Sequence, residues 1–166
     1  YEISDCLVGS EMYIRDSNSP GNPTGGVIQR KEIEKLVIGL EAYPNVTILS
    51  DEIYSRLLYG KQKHTSFLEF PSIRSRLIVL NGWSKTYAMT GWRLGYSVWP
   101  NRLLEYANRL CVNNHSCVNT ASQFAGLAAL KGSQNVVDEM LLEFDKRRNF
   151  IVNALNKIPG ISCKEP

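Results

Sequence analysis

The sequence is poor in the residues that build metal sites and disulfide frameworks. Its 166 residues include two histidines and four cysteines, and no two cysteines form a CxxC pair. The four cysteines are Cys6, Cys111, Cys117 and Cys163. Structural metal sites are usually marked by closely spaced ligands, and disulfide frameworks belong to small secreted domains. We therefore expect no metal site, and reduced thiols in a cytoplasmic protein.

Long apolar runs and a strong excess of one charge are also absent. The net charge of +3 is small and its basic residues are scattered, which argues against a nucleic-acid partner. No apolar run approaches the roughly 20 residues of a membrane-spanning helix, so no membrane partner is expected. The chain begins at Tyr1 without methionine and ends just beyond an apparent strand at residues 161–163. We expect it to be a piece of a longer protein.

Apolar strands alternate with helical patterns in the first half of the sequence. The apolar runs at residues 12–14, 46–49 and 77–80 predict strands. A helix with one apolar face is predicted between the first two runs. The residues on that face are Ile33, Leu36, Val37 and Leu40. This order is typical of an α/β fold with a mainly parallel sheet, although Arg15 and Asp16 leave the register of the first strand open.

The second half of the sequence predicts three helices. Two of them cover residues 101–110 and 120–130. The third is long, covers residues 133–157 and has Ser133 as its expected N-cap. Such a length suggests a connection between two domains.

Polar side chains follow each predicted strand. Asn22 lies in GNPTGG, Asp51 and Tyr54 lie in SDEIY, and Ser84 and Lys85 lie in GWSK. Ligands of open α/β sheets bind beyond the carboxyl ends of the strands. We therefore expect these clusters to face one crevice.

Each cluster also has a simpler explanation. GNPTGG is a turn signal by itself, and Asp51 could cap a helix with Tyr54 as a half-buried aromatic residue beside it. Lys85 and Arg93 could be solvated surface charges that contribute little. Their occurrence together on successive strand ends favours a binding site.

The clusters suit a pyridine ring that carries an aldehyde. A lysine in a desolvated pocket loses its proton more easily, so Lys85 could condense with the aldehyde. An ionised Asp51 can keep a pyridine nitrogen protonated. Tyr54, three residues later, would share one side of a first helical turn with Asp51, and Tyr54 and Asn22 could both hydrogen-bond a phenolate oxygen.

The loop around Lys85 also suits a phosphate group. Ser84 offers a hydroxyl and Arg93 a planar guanidinium, which are good partners of a phosphate dianion. Gly91 and Gly95 would let this backbone pack closely against a ligand or the sheet. The molecule that requires all of these partners is pyridoxal 5′-phosphate.

Over essentially its whole length, the sequence resembles the class I/II aminotransferases of the fold-type I pyridoxal-phosphate-dependent enzymes. GWSKTYAMTGWRLG resembles their lysine-attachment signature, and NPTG and DEIY resemble two other hallmark motifs in the same order. The resemblance implies a three-layer α/β fold with a mainly parallel sheet, which would be an incomplete large domain.

The same resemblance implies a role for each candidate residue. Lys85 would form an aldimine with the cofactor and carry a proton during catalysis. The cofactor would be held by Asp51 at the ring nitrogen, Asn22 and Tyr54 at the phenolate oxygen, and Ser84 and Arg93 at the phosphate.

The implied reaction is transfer of an amino group between an amino acid and a 2-oxo acid by way of the lysine aldimine. Residues 1–132 would belong to the cofactor-binding large domain, residues 133–158 to a connecting helix and residues 159–166 to the start of a small domain. The full-length enzyme would be a homodimer, and we expect the 166-residue chain alone to be inactive. Two alternatives remain open: a lyase of the same fold, and the ligand-sensing domain of a transcription regulator.

Overall fold

The computed structural model describes residues 13–165, so Cys6 and Met12 lie outside the described residues. In chain order the elements are β1 (Tyr13–Asn18), α1 (Arg30–Glu41), β2 (Val46–Asp51), β3 (Leu77–Gly82), β4 (Gly95–Val98), α2 (Asn101–His115), α3 (Thr120–Lys131) and α4 (Asn135–Leu155). Short 3-10 turns lie at Phe67–Glu69, Pro71–Arg76 and Thr90–Trp92.

The strands form one sheet in the order β1-β2-β3-β4. β1 pairs in parallel with β2 and β2 pairs in parallel with β3, whereas β4 runs antiparallel to β3. The expected α/β class with a mainly parallel sheet is confirmed. Arg15 and Asp16 are accommodated inside β1, where they pair with Ile48 and Leu49, so the charged residues do not interrupt the strand. β4 was not predicted, because its short sequence begins with a glycine.

The hydrophobic core lies between α1 and the sheet. Ile33, Val37 and Leu40 of α1 are buried, as the apolar periodicity predicts, whereas Leu36 is 39% exposed and lies at the margin of that face. The remaining members of the core cluster are Ile48, Phe67, Ile73, Leu77 and Val79. α1 therefore packs on the two central strands, β2 and β3. This packing fixes the strands whose carboxyl ends precede the candidate residues.

A buried arginine closes the junction between α1 and β2. The Arg76 guanidinium donates hydrogen bonds to the carbonyl oxygens of Leu40 (2.8 Å), Tyr43 and Val46. These carbonyls lie at the end of the helix and the start of the strand, and those of Leu40 and Tyr43 also accept from the backbone N–H groups of Tyr43 and Val46. The junction is thereby fixed although Pro44 prevents the helix from continuing.

The helices of the second half agree with the sequence in number but differ in detail. α2 continues to His115, five residues beyond the predicted end, and α4 begins at Asn135 after Gln134. The predicted N-cap at Ser133 is wrong: its hydroxyl accepts a hydrogen bond from the backbone of Asn135, but the cap position is one residue later. Residues 161–163 form no strand in the described part of the chain.

α3 packs against the loop that follows β3. Gly126 lets the helix approach closely, because a Cβ atom there would lie 2.3 Å from Leu94 Cδ2. The Trp83 indole donates a hydrogen bond to the Gly126 carbonyl (3.0 Å), and the Ser122 hydroxyl donates one to the Trp92 carbonyl (2.9 Å). Among residues 13–165, no helix is long and apolar enough to cross a membrane.

Candidate active site

The carboxyl ends of β1 and β2 lie side by side and hold the GNPTGG loop. Asn18 and Asp51 are register partners, and the Asn18 side chain donates to the Asp51 carbonyl (3.2 Å). The Asn18 side-chain oxygen accepts from the backbone of Asn22 (2.8 Å). Within the loop, Gly25 donates to the carbonyl of Gly21 (2.8 Å). GNPTGG is therefore a turn, as its composition indicates, and the turn brings Asn22 to the sheet edge.

The segment after β2 is a turn and not the expected first turn of a helix. The backbone N–H of Glu52 donates to the Leu80 carbonyl (2.9 Å), so the chain still follows β3 at this point. It then reverses through a bond from Leu57 N–H to the Tyr54 carbonyl (2.8 Å). The Asp51 carboxylate accepts from the backbone of Ile53 (3.1 Å). Pairing with the distant strand β3 overrides the local preference for a helix and places Tyr54 above the sheet edge.

A buried carboxylate that the sequence reasoning missed anchors this turn. Glu52 is 4% exposed and accepts hydrogen bonds from the hydroxyls of Ser50 (3.1 Å) and Ser66 (3.0 Å) and from the backbone of Phe67 (3.1 Å). His64 Nε2 lies 3.0 Å from the other Glu52 oxygen. No role for His64 is predicted from the sequence, and only the unusual carboxylate directly after an apolar strand could have indicated one.

These contacts determine the charge state of Glu52. Burial by itself would raise the pKa of its carboxyl, but the hydrogen bonds from His64, Ser66 and Phe67 outweigh burial and hold that pKa below its ordinary value. Glu52 is therefore an ionised anchor directly beside Asp51.

The lysine loop is a tight turn with Lys85 at its centre. Tyr87 N–H donates to the Trp83 carbonyl (3.1 Å), and Ala88 N–H donates to the Lys85 carbonyl (3.2 Å). Lys85 is half-buried, and its Nζ lies 5.5 Å from the centre of the Tyr54 ring. This distance allows a cation–π contact.

Three of the six candidate residues, Asn22, Tyr54 and Lys85, come together beyond the carboxyl ends of the strands. Asn22 Nδ2 donates to the Tyr54 hydroxyl (3.1 Å), and the ring of Tyr54 faces Lys85. Asp51 lies at the base of the turn that carries Tyr54. Residues that are 32 and 31 positions apart in the sequence thus share one corner of the fold.

Ser84 and Arg93 lie on the same loop as Lys85 but are not joined to this group. Ser84 is half-buried, and Arg93 is exposed and donates to the Thr90 carbonyl (3.1 Å). Across residues 13–165, no hydrogen bond links either side chain to Asn22, Tyr54 or Lys85. Arg93 instead lines an open cavity of about 670 Å³ whose other walls are residues 91–92, 115, 117–119 and 122.

Glycines permit close approach at one of the two expected positions. Gly82 and Gly95 are register partners on β3 and β4, and a Cβ on Gly82 would lie 2.9 Å from the Cα of Gly95. Gly91 has open space around it in the described chain, so it does not pack against the sheet, and its close approach to a ligand stays a prediction. Gly82 and Gly95 therefore let β3 and β4 approach closely at the base of the lysine loop.

The model of the family described as aminotransferase class I and II matches residues 17–166. The chain belongs to this family. Aminotransferases of class I and II generally depend on pyridoxal phosphate.

Known relatives agree with this family in sequence and in fold. The chain is 38% identical over 150 residues to an aspartate aminotransferase of Geobacillus stearothermophilus, with 90% of this chain and 38% of the relative covered. It is 44% identical over 147 residues to a probable aspartate aminotransferase of Methanocaldococcus jannaschii, with 85% and 38% covered. The crystal structure of an aspartate aminotransferase from Rhizobium meliloti matches 96% of this chain and 40% of its own with a TM-score of 0.90 at 32% identity. The chain thus spans about two fifths of the length of these relatives.

Proposed function

We propose that this protein transfers an amino group between an amino acid and a 2-oxo acid, with pyridoxal phosphate as cofactor. The observation that carries the proposal is the meeting of Asn22, Tyr54 and Lys85 beyond the carboxyl ends of adjacent strands. This is the place where α/β sheets bind ligands. Membership of the aminotransferase family and the names of the relatives support the same reaction.

The side chains at the sheet edge fit the ring of pyridoxal phosphate. Because the Tyr54 oxygen accepts its bond from Asn22 Nδ2, the hydroxyl proton of Tyr54 remains available for a phenolate oxygen of the ligand. The bond from Ile53 occupies one oxygen of the Asp51 carboxylate, and the carboxylate can give the ring nitrogen a counter-charge. When bound, pyridoxal phosphate serves as an electron sink that stabilises a carbanion at the substrate carbon.

We assign the proton transfer in this reaction to Lys85. Its amine is held by a tight backbone turn and faces the Tyr54 ring, so its position is limited although the side chain is long. A free Lys85 amine could take a proton from the substrate α-carbon and deliver it to C4′, the carbon that carries the aldehyde of the cofactor. Tyr54 and Asn22 would provide hydrogen-bonding groups on the side of the site that faces the phenolate oxygen of the ligand.

Ser84 and Arg93 would hold the phosphate group of the cofactor. Arg93 uses one nitrogen for the Thr90 carbonyl, and the remaining N–H groups of its guanidinium can form charge-assisted hydrogen bonds with a phosphate dianion.

The proposal extends to organisation and location. We propose that residues 1–132 belong to the large domain, residues 133–158 to a connecting helix and residues 159–166 to a small domain. We further propose a homodimer in the cytoplasm, in line with the family and with the free thiols of Cys111, Cys117 and Cys163.

The proposal is tested by loading the full-length protein that contains this chain with pyridoxal phosphate and recording its absorbance. We expect a band near the edge of the visible range, and borohydride treatment should attach the cofactor to the peptide that contains Lys85. Lys85→Ala should abolish both the band and the label. Lys61→Ala, a change at an exposed lysine in the loop after β2, should preserve both. A wild-type protein without band or label would refute the proposed function.

A further inference from the structure

We propose that Gln134 is a positioning residue that holds the lysine loop and the Tyr54 turn at a fixed separation. This inference rests on the proposed function, since it assigns the geometry of that site to a residue outside it. Gln134 precedes α4 directly and is half-buried.

One oxygen atom joins the two loops of the candidate site. Gln134 Oε1 accepts a hydrogen bond from the Tyr87 hydroxyl (3.1 Å) and another from Arg56 Nη1 (2.5 Å). Tyr87 follows Lys85 by two residues in the lysine loop, and Arg56 follows Tyr54 by two residues in the turn after β2. The oxygen therefore connects the backbone segments that carry the two side chains separated by 5.5 Å.

The opposite end of the same amide is fixed to the end of α3. Gln134 Nε2 donates to the carbonyls of Ala129 (3.0 Å) and Gly132 (2.9 Å). A glutamine amide has two N–H donors and an oxygen with two lone pairs, so all of its hydrogen-bonding capacity is in use. The orientation of the amide is determined, because turning it over would place its NH₂ group against the Arg56 guanidinium.

Arg56 has a second contact with the first turn of α4. Its Nη2 lies 4.0 Å from Asp138 Oδ1, four residues after Gln134. This exposed ion pair contributes little energy by itself, so the orientation of Arg56 rests on its hydrogen bond to Gln134 Oε1. The start of α4 thus contacts both loops that carry candidate site residues.

The lysine loop depends on such an external contact. Its internal closure consists of the backbone bonds from Tyr87 to Trp83 and from Ala88 to Lys85, and Ala88 has a left-handed backbone with φ of 52°. Backbone strain of this kind persists only where the surroundings hold it. The bond from the Tyr87 hydroxyl to Gln134 provides part of that support.

A double-mutant cycle with Tyr87→Phe and Gln134→Ala tests the inference. Hydrogen exchange of peptides that cover residues 83–89 measures the loop without any cofactor, and titration with pyridoxal phosphate measures its dissociation constant and the pH midpoint of the absorbance band. We expect each single change to speed exchange in the loop about 3- to 10-fold, which corresponds to the loss of one or two hydrogen bonds. The cofactor should also dissociate more readily, and the double variant should exceed Gln134→Ala only slightly.

A matched control separates positioning from general loss of helix structure. Gln123 lies near the start of α3, and among residues 13–165 its amide donates only to the Val118 carbonyl (2.9 Å), so Gln123→Ala should leave exchange in residues 83–89 and cofactor binding unchanged. Three outcomes would each overturn the positioning role. The first is unchanged exchange in the Gln134 and Tyr87 variants, and the second is strictly additive effects of the two changes on exchange. The third is faster exchange with unaltered cofactor binding. A wild-type protein that forms no absorbance band would overturn the proposed function and the positioning role with it, whereas the other outcomes leave the proposed function standing.

Discussion

At the scale of one residue, Glu52 connects the candidate site to a distant segment of the chain. Its carboxylate is buried beside Asp51 and receives hydrogen bonds from the segment 64–67, which is far from it in the sequence. An ionised group can remain buried only while such partners compensate for the lost water. The turn that presents Tyr54 is therefore connected to the charge state of Glu52.

This connection predicts how the protein responds to acid. The pKa of Glu52 is lowered from an ordinary value of 4.5, so its unfolded form binds a proton at a pH at which the folded form does not. Its contribution to stability is present above pH 4.5 and is lost as the pH falls through the folded pKa. Urea unfolding of Glu52→Gln at a series of pH values should therefore show a shallower loss of stability in acid than the wild type.

A surface carboxylate provides the comparison for this measurement. Glu139 is exposed on α4, and Glu139→Gln should follow the acid dependence of the wild type. If the curves of Glu52→Gln and wild type were parallel below pH 4.5, the carboxylate would not contribute in the way its contacts indicate.

At the scale of elements, two helical glycines have opposite environments. Gly126 of α3 is pressed against Leu94 and Trp83, whereas Gly39 of α1 has no neighbour within 4 Å of an added Cβ. Gly126→Ala should destabilise the protein by about 1–3 kcal/mol, because the buried Leu94 side chain must move. Gly39→Ala should stabilise it by about 0.5–1 kcal/mol, because alanine restricts the unfolded chain and favours helix.

Urea unfolding of the two variants measures this difference directly. A further readout is the fluorescence of Trp83, whose indole is bonded to the Gly126 carbonyl and should change only in Gly126→Ala. Equal stabilities of the two variants would mean that α3 is not packed against the lysine loop as described.

The elements that the sequence predicted are those whose pattern is local. α1 was predictable because the residues buried in it recur every three or four positions, and the meeting of Asn22 with Tyr54 was predictable because both follow parallel strands. The turn after Asp51 was not, because its backbone bond goes to Leu80, 28 residues beyond Glu52. The role of Gln134 was hidden for the same reason, since its partners include residues as far away as Arg56.

At the scale of the whole molecule, burial is distributed unevenly. In the part of the chain that the structure describes, every buried member of the core cluster lies between residues 33 and 79, whereas α2, α3 and α4 leave large apolar side chains such as Tyr106, Phe124 and Phe150 at least 65% exposed. Segments with few buried apolar contacts open at lower free energy than the core. The two halves of the chain should therefore differ in local stability.

Hydrogen exchange monitored by mass spectrometry can measure this difference. Peptides from β2 and β3 should exchange slowest, and peptides from α2 and the second half of α4 should exchange at least about tenfold faster, which corresponds to a difference near 1.4 kcal/mol. Uniform protection along residues 30–155 would contradict the uneven distribution of burial.

The left-handed backbone of Arg93 has a consequence for protein engineering. Arg93 has φ of 53°, a conformation that is unfavourable for any residue with a Cβ atom and natural for glycine. Arg93→Gly would relieve backbone strain of about 1 kcal/mol while it removes the guanidinium proposed for the phosphate. A library of variants sorted only by melting temperature would then rank Arg93→Gly above the natural sequence. Selection for thermal stability and selection for cofactor binding would therefore favour different residues at this position.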